Sequence, residues 1–218
     1  LWQNICVSEK AGQARKNANG MSTMDTLVHF GMEELKRSGS IDFNLENVLR
    51  ESGVARGSLY HHFGSRHGLI SHCEAQLLKK SLKSENELIR VLIESGKNGE
   101  ELFTMLSSFI LSMGSDTMTE QRGRRIRTLA AAVEDPALRT MLAESQMKGS
   151  KYLSESYEIA KQMGFIDPLV DTDTIVYLTQ AMFLGRVLVD ITENPQLSDS
   201  INEAIVLVLR TLMNPQSG

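Results

Sequence analysis

Along most of the chain, apolar residues return at intervals of three and four. After Glu100 they fall at Leu102, Phe103, Leu106, Phe109, Ile110 and Met113, the spacing of one face of an α-helix. Strict alternation shows only at Ile41, Phe43 and Leu45. That stretch is too short for a strand and has no partner, so it reads as a connector. Only four prolines interrupt 218 residues, and proline is what a helix interior tolerates least. The chain therefore reads as all-α, with about nine helices. The composition, 41% hydrophobic and 23% charged, excludes low-complexity and collagen-like chains. Apolar runs such as Ala204–Leu209 are too short to span a bilayer.

Glycine and capping residues punctuate the pattern. Helices are expected over 22–38, 45–52, 56–61, 66–95, 100–114, 119–133, 136–163 and 171–192, and from a Ser198 cap to about Met213. Asn44 and Ser65 are expected caps, and Pro136 sits at a first helical position behind Asp135. Residues 1–20 read as a leader outside the folded domain, 21–68 as a small three-helix unit, and 69–218 as a larger helical body. Two cysteines, Cys6 and Cys73, make no disulfide framework and point to a reduced, cytoplasmic setting. No apolar signal segment opens the sequence.

The unit between 43 and 70 carries the chemistry. Two short helices flank Gly53, with Val48, Leu49, Val54 and Leu59 apolar. This is the make-up of a helix-turn-helix, whose second helix offers its first residues to a DNA major groove. Arg56 is suited to guanine or phosphate. Gly57 lets the backbone come close, Ser58 and Tyr60 carry hydroxyls, His61 and His62 add donors, and Arg66 opens the next helix, where free N–H groups favour an anion. Most such contacts position the duplex, and few read its sequence.

Gly53-Val54, Gly57-Ser58-Leu59-Tyr60, His62-Phe63 and Ser65-Arg66 resemble, in register, the DNA-binding signature of TetR/AcrR-type transcriptional regulators. The helical layout is similar along nearly all of 22–213. The segment from Arg125 to Gly164 and the helix containing Gly185 resemble the YxaF/LmrA-like branch. The resemblance implies that Tyr60, His62 and Arg66 touch phosphates and that Arg56, Ser58 and His61 approach bases. There are departures. Phe43 stands where the family has Thr or Ser, with Asn44 free to take over the cap. Ala55 stands where Ser or Thr caps the recognition helix, Leu49 where a small residue is usual, and Arg66 where Lys is usual.

Blander readings stand beside these. All five histidines lie between 29 and 72, but no His-x3-His pair with a carboxylate sits on one face and a zinc site usually needs four well-spaced ligands, so no metal is expected. Arg122, Arg124, Arg125 and Arg127 form a basic run. It reads first as a solvated helix face, and second as an anion clamp built from Arg124 and Arg127. The body methionines are either gap-filling core or the lining of an adaptable pocket. The candidate effector residues are Phe103, Phe109, Met113, Arg127, Met147, Tyr152 and Tyr177, facing a small apolar or amphipathic molecule.

The last two helices are apolar nearly all round, more than one chain can bury. Leu178, Met182, Gly185, Val189, Ile201, Ile205, Val208 and Leu212 are expected at a homodimer interface, a four-helix bundle with two-fold symmetry. No catalytic motif, phosphate loop or dinucleotide fingerprint is found, so no cofactor is expected and the chain does not read as an enzyme. The expected function is a ligand-responsive regulator, a repressor released from palindromic double-stranded operator DNA by a small molecule. The alternatives are an all-α cofactor-free enzyme and an interaction module without DNA binding.

Overall fold

The computed structural model describes residues 20–167 and 169–213. Among them are nine α-helices and no strand; the nearest approach to a sheet is one antiparallel bridge between Ile166 and Met213. The proposed leader, 1–20, lies almost wholly outside the described residues. Two compact units divide between Cys73 and Glu74, later than the boundary expected after residue 68. The division falls inside a helix because α4, Arg66–Ser95, belongs to both units.

The first unit holds α1 (Thr23–Ser38), α2 (Leu45–Ser52), α3 (Arg56–Phe63) and the first turns of α4. Ser22 caps α1 through Asp25 N. Asn44 Oδ1 accepts from Glu46 N at 3.0 Å and Asn47 N at 3.3 Å, capping α2 as expected. Ser65 Oγ accepts from Gly68 N at 2.9 Å at the start of α4. The recognition helix runs to Phe63 rather than His61, because Gly64, at φ 68°, closes it with a bond from its N–H to Tyr60 O. Leu27, Leu35, Phe43, Val48, Leu59, Phe63 and Leu69 form its interior. Gly31 is required by a close approach: a Cβ there would lie 2.6 Å from Cys73 Sγ.

One peptide group in the connector is held from both sides by charge. Its N–H, on Asn44, donates to Glu34 Oε1 at 3.1 Å, and its C=O, on Phe43, accepts from Arg66 Nη2 at 2.8 Å. The Glu34 side chain is 3% exposed. It also accepts from Ser38 Oγ at 3.2 Å and Asn47 Nδ2 at 3.4 Å, and pairs with Arg37 at 3.0 Å. The apparent alternation at Ile41, Phe43 and Leu45 is thus a connector: Phe43 is buried beneath Arg66, whose guanidinium lies 5.6 Å from its ring centroid.

The second unit contains the rest of α4, then α5 (Gly99–Met113), a 3₁₀ turn (Asp116–Met118), α6 (Thr119–Glu134), α7 (Pro136–Gln162), α8 (Thr172–Asp190) and α9 (Pro195–Leu212). Asn98, Asp135 and Asp171 cap α5, α7 and α8. The α9 cap is Asn194, not Ser198, and Pro195 follows it as the first helical residue. Ser198 lies inside α9, where its Oγ accepts from Arg186 Nη2 at 2.6 Å. Ile89, Ile93, Leu102, Leu106, Leu153 and Val176 belong to the larger core, and Phe103 and Phe109 pack against it.

Two buried arginines tie helix ends together. Arg122 grips Asp190 with Nε at 2.7 Å and Nη2 at 2.6 Å, and its Nη1 donates to Met113 O and Ser115 O. Arg186, 2% exposed, donates to Gly114 O at 2.8 Å and Ser198 O at 3.1 Å. Burial and the neighbouring Arg122 push its pKa down, against the pull of Asp190.

Two changes test the first unit. Glu34→Ala leaves the Asn44 N–H and the Asn47 amide without their acceptor and is expected to destabilise the fold by about 2–4 kcal/mol in chemical denaturation. Ala55→Ser supplies the missing side-chain cap of α3 and is expected to stabilise it by about 1 kcal/mol, read as a raised melting temperature.

Candidate nucleic-acid interface

The turn between α2 and α3 is set by Gly53 at φ 64° and ψ 13°, the left-handed region that glycine enters without a Cβ clash. Its N–H donates to Leu49 O at 3.1 Å. Val54 and Ala55 follow, and Ala55 is extended. Helix α3 then buries Leu59 and Phe63, four residues apart, on one face. Arg56, Gly57, Tyr60, His61 and His62 are exposed and Ser58 is half-buried. The expected DNA-contacting residues of α3 therefore occupy the solvent side of an anchored helix.

Two expected contacts have local duties as well. The Arg56 guanidinium pairs with Glu46 of α2. Hydrogen bonds to Glu46 and Tyr60 raise its pKa further above the usual range, so its charge is constant. Arg66 differs more from its expected role. Its Nε donates to Phe43 O at 3.2 Å and its Nη2 to Phe43 O and Ile41 O. A guanidinium tied to carbonyls in this way is a brace for the connector, which the single-letter resemblance to a phosphate-contacting Lys did not reveal. Asn44 is exposed, but its Oδ1 is already engaged as the cap. His72 is buried, with Nδ1 3.0 Å from Gly68 O and its ring against Phe63. Among the described residues, no group of three His, Cys, Asp or Glu side chains is placed to hold a metal.

In the second unit the seven candidate effector residues do not converge. A cavity of about 330 Å³ between α4, α7 and α8 is lined by Lys79, Lys83, Asn86, Glu144, Gln146, Tyr152 and Gln180, among others. Tyr152 alone of the seven reaches it. Met113 lines a separate small cavity, and Phe103 lies under the Arg210 guanidinium, 4.5 Å from its ring centroid. Phe109 packs on the core. Met147 is 69% and Tyr177 56% exposed. Arg127 pairs with Glu74 and Arg124 with Glu120, so the alternative reading of Arg124 and Arg127 as an anion clamp finds both already paired. Helical spacing says which residues share a face; it does not say which face of an all-round apolar helix turns inward.

On α8 and α9, Leu178, Gly185 and Val208 are exposed, and Met182, Val189, Ile201, Ile205 and Leu212 are half-buried. Leu188, Ile191 and Leu207 extend this apolar surface, at 69%, 74% and 65% exposure. No residue of α9 is fully buried.

Comparison with known proteins agrees with this geometry. Residues 30–73 match the family model for bacterial regulatory proteins of the tetR family. The HTH-type transcriptional regulator UidR of Escherichia coli strain K12 is 21% identical over 78% of this chain and 78% of its own length. Among solved structures, a TetR-family transcriptional regulator from Cytophaga hutchinsonii shares the fold with a TM-score of 0.59 and 16% identity, covering 89% of this chain and 98% of that one. A second, from Pectobacterium atrosepticum, has a TM-score of 0.57 and 18% identity, covering 88% and 94%. The family and this curated relative are regulators, not enzymes. No helix among the described residues is long and apolar enough to cross a membrane. Residues 30–73, which hold the helix-turn-helix, are thus similar to bacterial regulatory proteins of the tetR family, and the chain shares the fold of solved TetR-family structures.

Proposed function

We propose that the chain is a cytoplasmic repressor that binds a near-palindromic operator as a homodimer and leaves it when a small molecule binds the second unit. The observation that carries this reading is α3, anchored by Leu59 and Phe63 with Arg56, Tyr60, His61 and His62 on its open side. Two such helices, related by a two-fold axis, suit successive major grooves. The uncovered apolar surface of α8 and α9 supports the dimer, in which Leu178, Met182, Gly185, Val189, Ile201, Ile205, Val208 and Leu212 meet their counterparts. The ligand must favour the DNA-incompetent state, since equal affinity for both states shifts nothing. Finer placement in the YxaF/LmrA-like branch rests on the resemblance of Arg125–Gly164 and of the Gly185 helix alone.

Gel-shift titration against the chain's own promoter region tests the DNA contacts. Arg56→Ala is expected to weaken operator binding roughly ten- to a hundredfold and to relax preference at particular base pairs. Tyr60→Ala is expected to weaken binding to all sequences. Arg66→Ala is expected to lower the salt slope by about one and, because the guanidinium also braces the connector, to lower the melting temperature. Intact operator binding in both Tyr60→Ala and Arg66→Ala overturns the docking. Equilibrium sedimentation at micromolar concentration is expected to give a dimer for the wild type and a monomer for the Leu178→Glu, Val208→Glu double variant.

A further inference from the structure

The basic run on α6 is not one solvated face. Arg122 is bound by Asp190, Arg124 by Glu120 and Arg127 by Glu74. Arg125 makes no hydrogen bond or ion pair with any described residue, although it is half-buried. Its side chain lines a cavity of about 30 Å³ with Met113, Met118, Phe183, Leu184 and Val187. Glu85 lies within electrostatic reach, but its carboxylate already accepts from Ser81 Oγ at 2.6 Å and Gln121 Nε2 at 3.1 Å. Burial pushes the Arg125 guanidinium pKa down, with Glu85 opposing. A guanidinium does not shed its proton in a protein, so Arg125 presents a permanent charge to this cavity with no carboxylate of the described residues bound to it.

We propose that Arg125 anchors the effector, an amphipathic carboxylate whose apolar part lies among Met113, Met118, Phe183 and Val187. The inference rests on the ligand-responsive reading above and names its ligand class. A carboxylate matches the guanidinium fork with two parallel hydrogen bonds. The cavity holds about two waters as it stands, the volume of a head group. An apolar tail enters by displacing Met113 and Met118, unbranched side chains that repack readily. In the larger cavity between α4, α7 and α8 the lysines, Lys79, Lys83 and Lys148, are exposed to water, and no arginine lines it. There Gln146 donates to Gln180 and Ser150, Asn86 donates to Gly149 O, and Lys83 pairs with Glu87.

Calorimetric titration of the full chain, free of DNA, with octanoate, octanol and octylamine tests the anchor. Octanoate is expected to bind once per chain, at least about tenfold tighter than octanol, with octylamine weakest. Arg125→Met is expected to erase the preference for octanoate over octanol, and Arg125→Lys, which keeps the charge but loses the fork, to retain part of it. Arg124→Met and Arg127→Met keep the preference in full. Thermal melts establish that each variant is folded. No octanoate binding, equal binding of octanoate and octanol to the wild type, or a preference that survives Arg125→Met overturns the proposal. A wild-type gel shift on the same preparation separates the two readings. Operator binding without carboxylate preference sinks the anchor alone. Carboxylate binding without any promoter binding sinks the regulatory reading and leaves the anchor standing.

Discussion

The presentation of α3 depends on a single peptide group gripped by two opposite charges. Glu34, from α1, takes the Asn44 N–H, and Arg66, at the head of α4, gives to the Phe43 C=O. The connector between α1 and α2 has no secondary structure to satisfy these groups, and buried backbone polar groups must find partners. Once they are held, Asn44 is in place to cap α2. Gly53 can then turn the chain, and Leu59 and Phe63 seat α3. Phe43, which stands where the resembled regulators have Thr or Ser, belongs to this arrangement as a buried ring under Arg66.

Charge is used sparingly throughout. The sequence carries a net charge of −4, with eight basic and eight acidic residues in 1–75, so the acidity lies in the rest of the chain. A neutral first third has little general attraction for phosphate, so the proposed operator binding rests on a few placed contacts, doubled in the proposed dimer. Several arginines that a count would assign to nucleic acid are structural. Arg66 braces a loop, and Arg122 and Arg186 join the ends of α5, α8 and α9 through carbonyls and a carboxylate.

How well an element was legible follows from how local its cause is. The start of α2 at Asn44 and of α7 at Asp135-Pro136 could be read because a capping side chain bonds N–H groups two or three residues away. The Ser198 cap failed because Asn194 sits beside a proline that starts the helix earlier, leaving Ser198 to Arg186. Arg186 carries a signal of its own, since a lone arginine on an apolar helix implies a buried partner. The α3 residues were legible as a set, since Gly53, Leu59 and Phe63 define by spacing which side is left for Arg56 and Tyr60. The candidate effector residues did not form such a set, since Met147 and Tyr177 turn outward while Tyr152 and Met113 line different cavities.

By itself, the order of residues determined an all-helical chain, its main breaks, and a helix-turn-helix with its exposed side. Each rests on interactions within a few residues, or on the 3.6-residue period that sorts one helix into faces. Only the tertiary structure decided which arginine of the α6 run lacks a partner, which apolar faces are covered, and that Arg66 holds the connector. Those depend on partners such as Asp190, Glu74 and Phe43, brought near by packing across long stretches of chain. No local spacing encodes such distances.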